Sequence, residues 1–330
     1  MSEWQEFPKI ELHLHIEGGA PPEFIRQLAS EKGVSLEGVF AEDGAYAFRD
    51  FGHFLQVYEA ATSVLRTPED YLRLTRAVLA ESAGHGVIYT EMFLSPDFCG
   101  GRDLAAWREY LAAIGEGAAQ AEREHGIIMR GIVTPIRHFG PDKAKETALC
   151  AAETAGDFIT GFGIGGDERA GKPRDFAWAF DCAREAGLRL TAHAGEWEGP
   201  DSVRAALDDL RVERIGHGVR AIEDPGLVER LARDGVVLEV CPGSNVALGL
   251  YPRLEDHPIA RLREAGVKVT VSTDDPPFFR TTMTQEYDDL ARAFGWGAED
   301  FAEINRVAAQ AAFCDEAIRD AIVKRLEAAP

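Results

Sequence analysis

Histidines and carboxylates recur at the ends of short apolar runs in this sequence of 330 residues. The first run ends in Leu12-His13-Leu14-His15, and residues two apart in a strand point to the same side. Further runs end in residues of the same types, namely His193 with Glu196, His217, and Asp274 with Asp275. Imidazole nitrogens with a carboxylate are ligands of Zn²⁺ or a similar divalent ion, which lowers the pKa of bound water from ~15.7 toward ~7. The pattern predicts a hydrolytic metal site, with a carboxylic acid to protonate the substrate and a histidine to hold the water.

None of these residues is persuasive alone. A single histidine at a strand end is more often a structural residue than a ligand, and Asp274-Asp275 before Pro276 also fits a turn. Several strand ends that each offer a ligand are harder to explain by folding, because clustered polar side chains must find partners. The remaining histidines are expected to be structural, although one of them, His53, lies in a candidate lid. They are His53, His85, His125, His138 and His257.

Eight short β-branched runs alternate with longer amphipathic stretches and predict the elements that position these residues. The predicted strands are Lys9–Leu14, Val87–Phe93, Ile127–Val133, Phe158–Ile164, Leu188–Ala192, Arg214–Gly216, Val236–Val240 and Val267–Ser272. The predicted helices include Asp103–His125, Arg174–Ala186, Asp224–Asp234 and Pro258–Ala265. Eight strand-then-helix units predict an α/β fold with a single (β/α)8 TIM-type barrel, in which active sites form at the carboxyl ends of the strands. We expect one domain over residues 1–330.

Two segments exceed this repeat. Pro21–Ala83 is too long for one crossover helix and is expected to hold several helices inserted after the first strand. Within it, Phe48–Leu55 carries three phenylalanines that predict a lid over a bound ring, although aromatic residues at helical spacing also fit an ordinary core. Thr281–Pro330 is expected to form a helical tail that closes the barrel.

The composition excludes several classes of partner. Thirty-five basic residues against 56 acidic ones give a net charge of −21, and no basic run is present, so neither nucleic acid nor an anionic membrane is expected to bind. No apolar stretch is long enough to cross a membrane, and the first residues do not resemble a signal peptide. The five cysteines are scattered and odd in number, which favours a reducing, cytoplasmic location without a disulfide framework. A neutral small molecule is the expected substrate.

Five motifs together resemble the adenosine deaminase family of the amidohydrolase superfamily. They are Lys9-Ile10-Glu11-Leu12-His13-Leu14-His15-Ile16-Glu17-Gly18, His193-Ala194-Gly195-Glu196, Arg214-Ile215-Gly216-His217-Gly218, Cys241-Pro242-Gly243-Ser244-Asn245 and Ser272-Thr273-Asp274-Asp275-Pro276. They occur in the family's order over residues 9–279, and their combination is highly specific, although H-x-H alone is not.

The resemblance implies a role for each matched position. Four residues match the ligands of one zinc ion, and these are His13, His15, His193 and Asp274. Glu196 matches the acid that protonates N1 of the purine, and His217 matches the residue that positions and deprotonates the attacking water. Three residues match groups that bind the substrate, and these are Glu17 at the ribose, Asp275 at N7 and the backbone N–H of Gly166 at N3. The implied reaction is hydrolytic deamination of a 6-aminopurine.

The choice of purine depends on two conflicting signals. Glu17 replaces the aspartate usual in adenosine deaminases and resembles the adenine deaminases, which act on the free base. Gly166-Asp167-Glu168 instead resembles the enzymes that act on nucleosides. We weight the second signal more, because Glu17 keeps a carboxylate that can accept a ribose hydroxyl, and an unpaired buried acceptor would reject the free base. We therefore expect adenosine to be converted to inosine, with adenine or a modified aminopurine as the alternative substrate.

Three other classes of protein fit this sequence less well. A binuclear amidohydrolase often needs a bridging lysine after strand four, where this sequence has Gly161–Gly166 without lysine, so one metal is favoured. Cytidine-type deaminases carry H-x-E with P-C-x-x-C, and this chain has neither. A catalytically inactive purine-binding barrel is expected to lack a ligand or the acid, whereas every matched position is intact.

Overall fold

Eight parallel strands form the centre of the protein, in a computed structural model that describes residues 2–328. Their order in the sheet follows the chain from β1 to β8. They are β1 (Lys9–His15), β2 (Val87–Leu94), β3 (Ile128–Val133), β4 (Ile159–Phe162), β5 (Arg189–Ala194), β6 (Arg214–His217), β7 (Val237–Val240) and β8 (Lys268–Val271). The amide of His15 donates to Asp274 O at 3.0 Å, and the amide of Asp274 donates to His13 O at 3.2 Å. These bonds join the end of β1 to the residues after β8, and the predicted TIM-type barrel is confirmed.

Helices connect successive strands and cover the outside of the sheet. They are α4 (Leu104–His125), α5 (Pro141–Ala152), α6 (Ala177–Glu185), α7 (Pro200–Ala205), α8 (Pro225–Asp234), α9 (Pro242–Ala247), α10 (Ile259–Glu264) and α11 (Pro276–Phe279). Asp103 and Asp224 each accept a backbone N–H of the following first turn, which explains where α4 and α8 begin. The four predicted helices are present, with ends that differ from the prediction by at most three residues.

Both predicted additions to the repeat are helical. The insertion after β1 contains α1 (Pro22–Lys32), α2 (Phe51–Thr62) and α3 (Pro68–Gly84). Helix α3 begins at a capping box, in which the side chain of Thr67 accepts the amide of Asp70 and the buried carboxylate of Asp70 accepts the amide of Thr67. Asp70 also forms an ion pair with Lys32 at the end of α1. The tail contains α12 (Met283–Phe294), α13 (Ala298–Ala311) and α14 (Glu316–Glu327). Ala329 and Pro330, the last residues of the predicted tail, lie outside the described residues.

The interior of the barrel below the strand ends is polar. Arg214 is fully buried and contacts Glu91 Oε2 at 2.6 Å and Glu239 Oε1 at 2.6 Å. Its Nη1 also donates to Ala311 O at 2.9 Å, while the amide of Phe313 donates to Glu91. The chain after α13 therefore closes the lower end of the barrel by satisfying the same ion-pair network.

Two further features can be compared with the sequence. No helix in the stretch from residue 2 to residue 328 is long and apolar enough to cross a membrane. All five cysteines, which lie within this stretch, are free thiols. The organisation as one domain over residues 1–330 stays a prediction.

Candidate active site

The predicted metal ligands meet where β1, β5 and β8 end. His15 Nε2 lies 3.2 Å from His193 Nε2 and 3.3 Å from Asp274 Oδ1, and His13 Nε2 lies 3.4 Å from the same carboxylate oxygen. Donor atoms of His13, His193, His217 and Asp274 all lie within 4.8 Å of one another. The structure thus brings the four predicted ligands together and places His217 beside them.

The donor set fits a divalent metal. Zinc–nitrogen bonds of ~2.0–2.1 Å in a tetrahedral site separate the donor atoms by ~3.3–3.4 Å, close to the spacings found here. His15 Nε2 and His193 Nε2 face each other at 3.2 Å, a spacing that two ligands of one cation would have. Among residues 2–328, His13 Nε2 has no hydrogen-bond partner although it is buried. An orphaned buried nitrogen aimed at a carboxylate is the expected state of a ligand.

The carboxyl end of β6 and the residue pair after β8 have unusual backbone conformations. His217 has a φ of 59° and Asp274 has a φ of 70°. Residues other than glycine adopt this left-handed region rarely, at a cost of roughly 1–2 kcal/mol. The strain aims both side chains into the mouth of the barrel, where Ser244 Oγ donates to Asp274 Oδ2 at 2.7 Å.

A carboxylate in the barrel interior orients His13. Glu239 Oε2 lies 2.8 Å from His13 Nδ1, while its other oxygen accepts from Thr191 Oγ1 and Arg214 Nε. Burial alone would raise the pKa of Glu239, but Arg214 and His13 lower it to about 2. An ionised carboxylate on Nδ1 fixes the proton there and leaves Nε2 free to ligate.

Glu196 lies in a loop that is organised by a second buried carboxylate. Glu168 accepts the backbone N–H groups of four consecutive residues, Gly195 to Glu198, and the hydroxyl of Ser202. These bonds fix the loop that carries Glu196 at the end of β5. Burial, with Asp274 and Glu168 nearby, raises the pKa of Glu196 well above its ordinary value. Glu196 therefore has the protonated form that an acid needs.

His217 faces Glu196 and is supported from behind. Its Nε2 lies 3.7 Å from Glu196 Oε2, and its Nδ1 lies 3.4 Å from Asn245 Nδ2. Asn245 Oδ1 in turn lies 3.1 Å from His257 Nε2. His257, expected to be structural, is buried in this chain of side chains and does not reach the pocket.

A pocket opens above the cluster, and α2 covers part of it. Phe51, Phe54 and Leu55 line this pocket, together with His15, Glu17, Glu196, Asp274 and Asp275. Phe48 does not line it but packs on Phe54 with 5.5 Å between ring centroids. The segment Phe48–Leu55 therefore supplies apolar cover, while its movement as a lid stays a prediction. His53 lies outside the lining, whereas His138 belongs to it.

Glu17 is buried in the wall of the pocket, and both of its carboxyl oxygens accept hydrogen bonds from the protein. The hydroxyl of Tyr71 donates to Oε1 at 2.9 Å, and the hydroxyl of Tyr58 donates to Oε2 at 3.3 Å. Burial raises the pKa of Glu17 to about 7. Each carboxyl oxygen thus already accepts one phenol from the inserted helices.

The two other predicted substrate contacts depend on glycines. A Cβ on Gly18 would lie 1.7 Å from Asp275 Oδ1, so only glycine leaves room for this carboxyl in the pocket wall. Burial, followed by the charge of Asp274, raises the pKa of Asp275 well above its ordinary value. Gly166 lines the pocket with a φ of 90°, and a Cβ there would approach His138 Nδ1 to 2.9 Å.

Several residues that support the site were missed in the sequence. Glu239 interrupts an otherwise apolar strand, and such a charge in a buried run was an available signal. Asn245 lies within a motif that resembles the family but was assigned no role, and Glu168 was interpreted only as a mark of nucleoside binding. Tyr58 and Tyr71 gave no signal, because an aromatic residue in a helix ordinarily packs in a core.

A parallel barrel with a histidine–aspartate cluster at its carboxyl end is the architecture of a metal-dependent amidohydrolase. The sequence model of the adenosine deaminase family matches residues 8–329. An adenine deaminase of Rhizobium leguminosarum bv. trifolii is 49% identical over 318 residues, which are 96% of this chain and 98% of that protein. This chain belongs to the adenosine deaminase family, and it is a hydrolase of the kind that acts on the C–N bond of a cyclic amidine in purine metabolism.

Two solved structures are similar over nearly the whole chain. The adenine deaminase from Arthrobacter aurescens has a TM-score of 0.89 and 33% identity, and the match covers 97% of this chain and 98% of that one. A zinc-bound amidohydrolase from Burkholderia ambifaria has a TM-score of 0.86 and 27% identity, with 99% and 94% covered. Both support the fold, and the second shows zinc bound in a related barrel.

The prediction that adenosine is the substrate is wrong, because the similar proteins of Rhizobium and Arthrobacter are named adenine deaminases. The error has two physical causes. The prediction requires an unpaired acceptor at Glu17, whereas Tyr58 and Tyr71 each donate a hydrogen bond to one of its oxygens. Glu168 and Asp167 were treated as marks of nucleoside binding. In the structure, Glu168 instead accepts a backbone amide of the loop that carries Glu196. Asp167 Oδ1 accepts from Arg169 Nε at 2.8 Å.

Proposed function

We propose that this protein converts adenine and water to hypoxanthine and ammonia, with one Zn²⁺ held by His13, His15, His193 and Asp274. The observation that carries the choice of the free base is the hydrogen-bonded state of Glu17. Its carboxyl group lies in the pocket wall, and both oxygens accept phenol hydroxyls. A ribose placed there would meet a bulky side chain whose acceptors are in use, and its own hydroxyl groups would lose water without compensation.

The protein's side chains supply most of the chemistry of the site. A divalent cation at the cluster supplies Lewis acidity and lowers the pKa of water. Glu196, kept protonated by burial, donates its proton to N1 and makes C6 electrophilic. His217, 3.7 Å from Glu196, holds the attacking water on the same side of the ring.

Other groups orient the base. Asp275, whose pKa is raised by burial and then by the charge of Asp274, donates a hydrogen bond to N7, which is an acceptor. The backbone N–H of Gly166 meets N3. Phe51 and Phe54 of α2 exclude water from the ring, which strengthens each of these electrostatic contacts.

The experiment is a comparison of ammonia release from adenine, adenosine, 2′-deoxyadenosine, N6-substituted adenines and AMP. We expect kcat/KM for adenine to exceed that for adenosine by at least ~100-fold, which is ~2.7 kcal/mol of differential transition-state binding. AMP is expected to be the poorest substrate because no lysine or arginine of the described chain lines the pocket. Equal turnover of adenine and adenosine would overturn the proposal.

Tyr71→Phe sharpens this experiment, since it removes the 2.9 Å bond to Glu17 and leaves an oxygen unpaired. The ratio of adenine to adenosine turnover should fall in this variant, because the freed acceptor can now bind a hydroxyl. Tyr110→Phe is a matched control, because Tyr110 packs against Tyr71 and donates to Arg66 O, not to Glu17. It should leave the ratio unchanged.

The metal is tested separately. The purified enzyme should contain about one zinc per chain, lose activity on chelation and recover it when Zn²⁺ is added. Asp274→Asn should weaken metal binding, because a neutral amide is a poor ligand. Full activity in a metal-free preparation would end this part of the proposal.

A further inference from the structure

Behind His217, three buried groups form a chain that starts at a backbone amide. The N–H of Ile259, at the start of α10, donates to His257 Nδ1 at 3.2 Å. A backbone N–H is only a donor, so His257 Nδ1 carries the lone pair. Burial lowers the pKa of His257 to about 3, and the neutral ring therefore carries its proton on Nε2.

This proton sets the orientation of Asn245. His257 Nε2 lies 3.1 Å from Asn245 Oδ1, and an N–H at that position requires an acceptor. The amide oxygen of Asn245 must therefore face His257, which turns the NH₂ group toward His217. The orientation follows from the amide of Ile259 and does not depend on telling oxygen from nitrogen in Asn245.

The NH₂ group of Asn245 in turn sets the tautomer of His217. Asn245 Nδ2 lies 3.4 Å from His217 Nδ1, so Nδ1 accepts and holds the lone pair. A ring whose Nδ1 holds a lone pair is neutral. Its single proton is then on Nε2, the nitrogen that faces the pocket.

His217 Nε2 has no protein partner within the described chain, although it is buried. It lies 3.7 Å from Glu196 Oε2 and 4.0 Å from Asp274 Oδ2, which leaves a gap between them for a small ligand. A buried N–H without a partner is costly unless a bound molecule accepts it.

We infer that Asn245 and His257 are positioning residues that hold His217 in the tautomer with its proton on Nε2, which turns an N–H toward the oxygen of the attacking water. This contact is a hydrogen bond that orients the water, and it involves no transfer of the ring proton. The role of the water rests on the proposed deaminase function, whereas the tautomer does not.

The experiment is a two-bond ¹H–¹⁵N correlation spectrum of the zinc-loaded enzyme labelled with ¹⁵N-histidine. It separates protonated from unprotonated ring nitrogens, and the signals of His217 are identified by their loss in His217→Gln. We expect Nε2 to be protonated and Nδ1 to be unprotonated. The opposite pattern in the unsubstituted enzyme would overturn the inference, and this measurement requires no variant of the chain behind His217.

Asn245→Asp replaces the donor with a carboxylate acceptor at nearly the same volume. The proton should move to His217 Nδ1, and kcat for adenine should fall by ~10–100-fold, the range found when groups that orient catalytic ligands are lost. KM should change by less than about threefold. Unchanged Nδ1 signals together with unchanged kcat would show that Asn245 does not set the tautomer.

Asn305→Asp is the matched control, because Asn305 is the other asparagine of the chain and is also buried. It accepts from the amide of Ile10 and donates to Tyr287 at the opposite end of the barrel. Its substitution should leave the ring signals of His217 unchanged. An enzyme with protonated Nε2 that does not deaminate adenine would refute the proposed function and leave the tautomer inference standing.

Discussion

Buried carboxyl groups occur in two regions of this barrel, its interior and the pocket at its carboxyl end. In the interior, Glu91 and Glu239 each contact Arg214 at 2.6 Å. In the pocket, Glu17, Glu196 and Asp275 are equally buried, and none of them forms an ion pair with lysine or arginine within the described residues. The two regions therefore differ in one respect, since a guanidinium group, that of Arg214, lies beside the carboxylates of the interior and none in the described part of the chain lies beside those of the pocket.

The comparison shows what that placement does. Although burial would raise it, the pKa of Glu239 is lowered to about 2 by Arg214 and His13, so this carboxylate is an anion at neutral pH, and it orients His13. Burial without a cation raises the pKa of Glu196 and of Asp275 well above ordinary values, which makes these groups proton donors. The same residue type thus serves as a structural anion in one region and as an acid in the other.

The largest effect is expected in the pocket, where Glu196→Gln removes the transferable proton but retains the shape of the side chain. We expect kcat for adenine to fall by ~10²–10⁴-fold, the usual contribution of a positioned acid. Zinc content and equilibrium binding of adenine should be retained. Near-normal turnover would show that the N1 proton comes from another group. It would also show that the raised pKa of the buried Glu196 does not contribute to catalysis.

The next effect is expected in the interior, where Arg214→Met leaves Glu91 and Glu239 buried without a cation. We expect the free energy of unfolding in urea to fall by ~3–5 kcal/mol, because breaking a buried ion pair from one side leaves an uncompensated charge. Arg108→Met, at an exposed pair with Glu153, is the control and should cost less than ~1 kcal/mol. Equal losses in the two variants would contradict the comparison.

A smaller effect is expected where the two regions touch, at the contact between Glu239 and His13. Glu239→Gln keeps a hydrogen-bond acceptor but removes the charge. Zinc affinity, measured by competition with a chelator, should fall by ~10–100-fold. Unchanged affinity would show that the interior anion supports folding but not the metal.

The smallest effect concerns Glu286 of α12, which is buried without a cation but lies outside the pocket. Burial raises the pKa of Glu286 from its ordinary value of 4.5 to about 8. The folded protein thus retains a proton that the unfolded chain releases, so stability should decrease as the pH rises from about 4.5 to about 8. The slope is ~1.4 kcal/mol per pH unit for one proton. Urea unfolding at pH 6 and pH 7 should show this loss, and Glu286→Gln should reduce it.

The sequence predicted the barrel well because its signals are local. Alternation of short apolar runs with amphipathic stretches identifies the eight units, and aspartates at the start and glycines at the end of a helix mark its limits. Strand ends were less predictable, as in β4, where the predicted Phe158–Ile164 is Ile159–Phe162 in the structure. The predicted residues on either side of β4 have the apolar composition of a strand but belong to the loops before and after it.

The site was predicted as a set of side chains but not as a set of partners. Four residues can be recognised from their positions at strand ends, and the structure brings them together. They are His13, His193, Glu196 and Asp274. Whether Glu17 is open or occupied depends on Tyr58 and Tyr71, which arrive from an insertion 41 and 54 residues along the chain. No local pattern encodes such a contact, and the error over adenosine arose at this point.

The closure of the lower barrel by the tail has a consequence for the order of biosynthesis. Arg214 needs the carbonyl of Ala311, and Glu91 needs the amide of Phe313. A nascent chain that has made all eight strands, the last ending at Val271, still lacks both groups. The barrel therefore cannot complete the hydrogen bonds around its central ion pairs until residues 311–313 have emerged from the ribosome, and an enzyme truncated before Ala311 should be cleared by proteases rather than accumulate as a partly active form.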